Sequence, residues 1–287
     1  MEPSVAAVVL LSAALHPLWN ALIKRGQVPE ASFMGMMVMI ALLSLATAVV
    51  IGADLMAAGK VWHLVLISAF GLVLYGSALV MTLRRGDLSA YYPIIRSSPV
   101  FIVLVSVLFF GQTYAAPVLL GFAMVIVGAF FLQYRPGSRL LDDPRTLAYA
   151  LLGMSSTGIY TISDAFAMQV VEPPVFLFWV MVMFIPAYMA VMRAIAGPHL
   201  GWRVLSGWVH TPWRTAGTGL IAYGSYSLIL IGFTWGGEVA AVSSLRQASI
   251  PISVLIGGLW LKEAGLALRL AASLMLAAGI VIVVLAG

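Results

Sequence analysis

Four ionisable side chains stand inside long apolar runs, which makes them the first candidates for chemistry: His16, Arg96, Asp164 and Arg246. A charged or titratable group is expensive to hold in hydrocarbon, so its presence there marks a functional site by default. A guanidinium presents its donors as a planar fork that suits bidentate capture of a carboxylate or phosphate. Arg96 and Arg246 therefore read as an anion-recognition pair. Alternatively, they snorkel or satisfy backbone freed near Pro93, Pro99 and Pro251. Histidine titrates near neutrality, so His16 is a candidate proton carrier as well as a candidate packing residue. Asp164 is the carboxylate most clearly within a hydrophobic run, open to proton coupling, solute contact or a place at the membrane interface.

Polar and aromatic residues gather around these four. Ser12, His16, Asn20 and Lys24 recur every fourth residue, so on a helix they form one stripe. Thr157, Tyr160, Thr161 and Asp164 form another. Trp19, Tyr75, Tyr91, Tyr92, Tyr160, Tyr223 and Tyr226 supply flat apolar faces, and the tyrosines add a hydroxyl. Such rings suit a small amphiphilic solute or a caged quaternary amine. The same residue types also form interfacial belts, the reading for Trp202, Trp208 and Trp213. The candidate solute-binding set is Arg96, Arg246, Tyr92, Tyr75, Tyr223, Trp19, Asn20 and Tyr160, with His16 and Asp164 as proton-coupling candidates. No Gly-rich loop followed by Lys suggests ATP, and no His/Asp/Glu group has metal spacing. No cofactor is expected.

The elements that must position these residues follow from composition. Of 287 residues, 62% are hydrophobic and 9% charged, with a mean hydropathy of +1.07. Soluble domains carry about 25% charged residues. The solvent of this chain is therefore largely lipid, and a span needs about 20 apolar residues. Apolar runs predict ten helices, over residues 3–23, 31–52, 61–83, 87–110, 114–133, 146–168, 174–196, 213–234, 238–261 and 264–285. Gly121, Gly128 and Gly257-Gly258 read as close-packing positions on them. The fold class is an all-α membrane protein, with no room for the soluble enzyme folds. Absence of cysteine excludes disulfides and thiolate sites, and scattered basic loops argue against nucleic acid. Glu2 precedes the first run and Lys24-Arg25 follow it, the reverse of a signal peptide, so it reads as a retained helix.

Setting aside Arg96 and Arg246, twelve of the other thirteen Lys and Arg residues fall on one side of this segmentation, and only Lys60 on the other. Basic loops are cytoplasmic, which predicts an inner-membrane protein with both termini on the periplasmic or extracellular side.

The halves echo each other. Tyr75-Gly76-Ser77-Ala78 is answered by Tyr223-Gly224-Ser225-Tyr226, Asp87 by Glu238, Arg96 by Arg246, and Gln112 by Lys262-Glu263. A five-helix unit has an odd number of spans, so its second copy enters from the opposite face. That predicts two inverted five-helix repeats, residues 1–138 and 139–287, with a site near the midplane. Counted at 1.5 Å per residue, Arg96 and Arg246 lie about 13 Å and about 12 Å into their helices, near the middle of a core about 30 Å thick.

The run Trp19-Asn20-Ala21-Leu22-Ile23-Lys24 after His16-Pro17, the run from Leu88 to Arg96, and Ser243-Ser244-Leu245-Arg246 with Leu261-Lys262-Glu263 resemble the EamA branch of the drug/metabolite transporter superfamily. The resemblance covers the whole chain. It implies a central cavity within helices one to four and six to nine, with helices five and ten peripheral, and movement of metabolites without ATP hydrolysis, usually as export. The chain departs from the pattern at Gln112, where the first repeat usually has Glu, and in having no carboxylate inside its first helix.

The leading expectation is a secondary transporter of a small polar or amphiphilic metabolite, such as an amino acid or another carboxylate-bearing solute, working by alternating access. Its partners are that solute, the lipid bilayer and protons as coupling ion, with no nucleic acid and a monomeric or weakly dimeric state. A carrier of cationic or quaternary-amine solutes, with Asp164 or Glu238 as counter-ion, is the runner-up. A membrane-embedded enzyme and a structural or sensory protein are remoter readings.

Overall fold

Proline opens five of the long helices, at Pro3, Pro29, Pro144, Pro173 and Pro212. Its missing N–H costs nothing in the first turn and its fixed φ is already helical. The computed structural model describes residues 2–26, 28–98, 115–133, 143–196, 206–237, 242 and 245–286. Its helices are α1 (Pro3–Lys24), α2 (Pro29–Val50), α3 (Trp62–Arg85), α4 (Leu88–Ile95), α5 (Ala116–Gln133), α6 (Pro144–Ala167), α7 (Pro173–Ala196), α8 (Ser206–His210), α9 (Pro212–Thr234), α10 (Ser249–Leu255) and α11 (Leu266–Ala286). A 3-10 segment, Leu55–Val61, leads into α3, and a wide π turn, Ile256–Trp260, extends α10. There is no strand among the described residues. Residues 99–110 of the fourth expected span lie outside the described residues, as do Gln112, Arg135, Arg139, Trp202, Arg203, Glu238 and Ser243-Ser244.

Among the described residues, five helices are long and apolar enough to cross a membrane: α1, α2, α3 with its 3-10 lead, α7 and α9. Across the bundle, apolar side chains face outward and polar ones inward. Val50, Phe70, Ile126 and Phe166 are exposed, while Ser12, Asn20, Thr157 and Asp164 are buried. Apolar surface facing outward and polar groups facing inward is the distribution hydrocarbon solvent requires.

The helices pack in a definite set of pairs. α3 lies along α6 and α1 along α9; α2 packs on both α7 and α9, and α7 also on α3; α4 meets α6 and α10, α10 meets α1, and α5 runs along α11. The α5–α11 seam is tight because two glycines allow it. A Cβ on Gly128 would lie 2.9 Å from the Ala272 carbonyl oxygen, and one on Gly279 would lie 2.7 Å from that of Gly121. Val125, Leu132, Ile250, Val254, Ala272, Leu276 and Ile280 form a small apolar cluster of α5, α10 and α11, separate from the main core.

Two expected continuous helices are broken. The run from residue 87 stops at Ile95, with a turn at Arg96. Pro93 removes one backbone donor here, and Ser97 Oγ donates to the Pro93 carbonyl at 2.8 Å. The ninth run has a turn at Gln247-Ala248 before α10 begins, and Pro251 is the cause. It has no N–H to give the Gln247 carbonyl, so Ile250 N–H takes that place at 2.9 Å.

At one end of the bundle the helix termini are joined by charge. Arg84 pairs with Glu30, Arg214 donates to the Leu22 carbonyl at 2.9 Å, and Arg85 lies 5.8 Å from the Tyr149 ring. Lys24 pairs with Glu263 at 2.8 Å and Arg269 with Asp87 at 2.9 Å. At the entry to α6, Asp143 accepts from the hydroxyl and backbone N–H of Thr146, which hold its carboxyl below the usual carboxylate value. Lys60 sits in the 3-10 segment, at the opposite end of α3 from Arg84 and Arg85.

Candidate functional site

The polar stripe on α1 points into the bundle along its whole length. Ser12 Oγ donates to the Ser225 carbonyl at 2.6 Å, and Ser225 Oγ donates back to the Ser12 carbonyl at 3.1 Å. This reciprocal pair clamps α1 to α9. One turn on, His16 Nδ1 lies 3.2 Å from Ser225 Oγ. Asn20 Nδ2 donates to the His16 carbonyl at 2.9 Å, a group that Asn20, four residues on, reaches along its own helix. Lys24 ends the stripe, donating to the Gly86 carbonyl at 2.8 Å as well as to Glu263.

His16 opens onto a small central cavity of about 40 Å³, with Trp19, Met36, Tyr75, Tyr160, Ser225, Tyr226 and Arg246 among its walls. Ligand pockets run to about 300–1,000 Å³, so in this conformation the cavity is far below the size of one. The walls are aromatic and interlocked. His16 meets Trp19 edge to face at 4.8 Å, and Tyr75 meets Tyr160 likewise at 5.6 Å. His16 Nε2 and Tyr75 Oη are buried without a hydrogen-bond partner among the described residues. An orphaned buried polar atom loses its hydration for nothing in return, so these two are set to receive a polar group the cavity admits.

The two arginines divide their work. Because Ile250 N–H is drawn to Gln247, the Arg246 carbonyl loses its normal helical donor. It accepts from Ser249 Oγ at 2.7 Å and from Arg96 Nη2 at 3.3 Å. Arg96 Nε reaches Ser249 Oγ at 3.3 Å. Arg96 thus ties α4 to the break before α10, from behind the cavity, while the Arg246 side chain lines it. Both are buried. Of the two sequence readings of Arg96, satisfaction of freed backbone is the one its contacts match.

The other candidates sort as follows. Trp19, Tyr75, Tyr160 and His16 line the cavity. Tyr92 is fully buried, 6.3 Å from the His16 ring, and Asn20 is fully buried behind it; neither is a lining residue. Tyr223 is outside the cavity, and its hydroxyl donates to Thr47 Oγ1 at 2.7 Å. The face of α9 that lines the cavity runs through Ala222, Ser225, Tyr226 and Ile229. At about 100° per residue, Tyr223 is turned away, so the repeat partner of Tyr75 does not share its position. Of the tryptophans expected in an interfacial belt, Trp208 packs near Gly35 by the start of α2 and Trp213 is exposed.

Asp164 is drawn inward rather than outward. It is buried near the end of α6, where Ser68 Oγ of α3 and Tyr226 Oη of α9 each donate to it at 2.6 Å. It binds three helices together and touches the cavity only through Tyr226. Sequence reasoning missed Ser68 and Ser249, which are ordinary serines in apolar runs, and Glu30, which pairs across 54 residues of chain. Ser225 had a signal in the repeated Tyr-Gly-Ser landmark.

No family model and no curated protein matches the chain. A crystal structure described only as that of a protein has the same fold, with a TM-score of 0.64 over 98% of this chain and 97% of that one, at 16% identity. At that identity the likeness is one of fold.

Proposed function

We propose that the chain is a secondary transporter of the inner membrane that moves a small carboxylate-bearing solute, such as an amino acid, by alternating access. Its ten spans form two inverted repeats, residues 1–138 and 139–287, with both termini outside, and the EamA resemblance of its motifs points the same way. The helix pairing supports the repeat. Exchanging α1, α2, α3, α4 and α5 for α6, α7, α9, α10 and α11 turns the α3–α6 contact into α9–α1, α2–α9 into α7–α3, and α4–α6 into α10–α1. All of these contacts are present, and the remaining pairs α2–α7, α4–α10 and α5–α11 map onto themselves. Arg96 and Arg246 meet where α4 faces α10, on the axis such an exchange requires. The gathering of basic side chains at one end of the bundle supports the orientation.

The observation that carries the substrate class is Arg246, a buried guanidinium facing an aromatic cavity with no carboxylate among its described walls. A carboxylate supplied by the solute would complete it, with His16 and Tyr75 offering further polar contact. A quaternary-amine cargo would need a counter-ion there, and Asp164 is already engaged by two hydroxyls outside the walls. With both ends tied, by Lys24–Glu263 at one and by Asp164 at the other, the conformation is an occluded one; protons remain the candidate coupling ion. Uptake of labelled amino acids and simple carboxylates into proteoliposomes tests the reading. Saturable flux that Arg246→Ala abolishes supports it; flux of quaternary amines alone, unaffected by Arg246→Ala, overturns the anion site.

A further inference from the structure

A second cavity among the described residues is far larger than the central one. It lies at the basic end of the bundle, has a volume of about 1010 Å³, and opens between the end of α1 and the loop joining α10 to α11. Four basic side chains, Lys24, Arg25, Lys262 and Arg269, line it against two carboxylates, Asp87 and Glu263, a formal charge of +2. The carboxylates are taken by Lys24 and Arg269. Arg25 and Lys262 are exposed at the mouth and have no carboxylate partner among the described residues. Arg25 instead donates to the Trp260 carbonyl at 3.1 Å, with its guanidinium 4.5 Å from the Trp260 ring.

The walls beside these charges are apolar and outward-facing: Leu268 is 42% exposed and Trp260 is 37% exposed. The loop is held tightly, by Leu261 N–H to the Ile256 carbonyl at 3.1 Å and Glu263 N–H to the Gly257 carbonyl at 3.0 Å. Lys262 is held in the left-handed region at φ 56°, a conformation that costs energy for a residue with a side chain and is kept only where its surroundings enforce it. Two uncompensated cations beside an apolar wall at a helix end are the complement of an anionic headgroup with its acyl chains.

We propose that this pocket binds the phosphate headgroup of an anionic phospholipid, with Arg25 and Lys262 as its ligands and Trp260 and Leu268 against its chains. The bound lipid bridges α1 to the α10–α11 loop, alongside the Lys24–Glu263 pair, and so holds this end of the bundle closed. The proposal needs the chain to sit in a membrane but does not depend on what it transports.

The test is retention of phosphatidylglycerol against phosphatidylcholine by the purified protein, read by native mass spectrometry and thermal shift. Phosphatidylglycerol should be preferred and should raise Tm. The preference should fall by about tenfold or more in R25Q/K262Q, each basic group near a headgroup contributing about 1 kcal/mol. It should survive in Lys60→Gln at the other end, and should weaken for the unaltered protein at about 1 M salt. Equal retention of the two lipids, or a preference untouched by salt, overturns the proposal. So does an equal stabilisation by glycerol phosphate or inorganic phosphate, which would make the pocket a soluble-anion site.

Discussion

Arg96 is anchored to the backbone of Arg246: its Nη2 lies 3.3 Å from that residue's carbonyl oxygen, which Pro251 has indirectly set free. One arginine therefore builds the site in which the other is offered. Their substitutions should separate accordingly. Arg96→Ala strips a charged donor from a buried carbonyl and should lower stability by about 1–3 kcal/mol. Arg246→Ala should leave the thermal midpoint closer to that of the unaltered protein but weaken carboxylate binding by about tenfold to a hundredfold, the loss of one charge-assisted hydrogen bond. Thermal shift with and without solute distinguishes the two.

Glu263 joins the ends of α1, α4 and α11. Its Oε1 accepts from Lys24 Nζ at 2.8 Å and from Leu88 N–H at 2.9 Å, and its Oε2 lies 3.6 Å from Arg269 Nη1. Glu263→Gln keeps the shape and removes the charge, so this end of the bundle should open more readily. A cysteine introduced at Ser225 should then react faster with an impermeant maleimide from the basic side. The chain has no cysteine of its own, which leaves the background clean.

The glycines give a stability contrast. Gly128→Ala and Gly279→Ala push a methyl group against backbone of the partner helix in the α5–α11 seam, and each should cost about 1–3 kcal/mol. Gly224, although part of the repeated landmark, has nothing within 4 Å of its Cβ direction. Gly224→Ala should stabilise by up to about 1 kcal/mol through helix propensity. Denaturation midpoints of the three variants in one detergent check both signs.

Asp143 adds a pH signature. Its carboxyl is held below the ordinary value of 3.8 by the Thr146 hydroxyl and backbone N–H. A depressed folded value means the stabilisation is present above 3.8 and is lost as pH falls through the folded value. Asp143→Ala should therefore lower Tm at neutral pH, and its difference from the unaltered protein should shrink only in strong acid.

Much of this architecture is legible in the chain because so apolar a sequence leaves its few polar residues little choice of face. The run 3–23 became Pro3–Lys24, and the stripe of Ser12, His16, Asn20 and Lys24 faced inward, since a polar face has nowhere else to go. What escaped the sequence depended on rotation or on distance along the chain. Tyr223 and Tyr226 differ by less than a helical turn, and only packing decides which faces the cavity. Lys24 and Glu263 are 239 residues apart, and no local pattern couples them. The break at Gln247 was written in Pro251, but its consequence for Arg96 required the partner helix.

The most direct test of the central claim uses Ala222→Cys, a lining position of the cavity near Arg246. Its labelling by an impermeant maleimide is measured from each side of oriented proteoliposomes, with and without a transported carboxylate. Alternating access predicts labelling from both sides, with the balance shifted and the total lowered by solute. Labelling from one side only, indifferent to every solute that the liposomes take up, would contradict it.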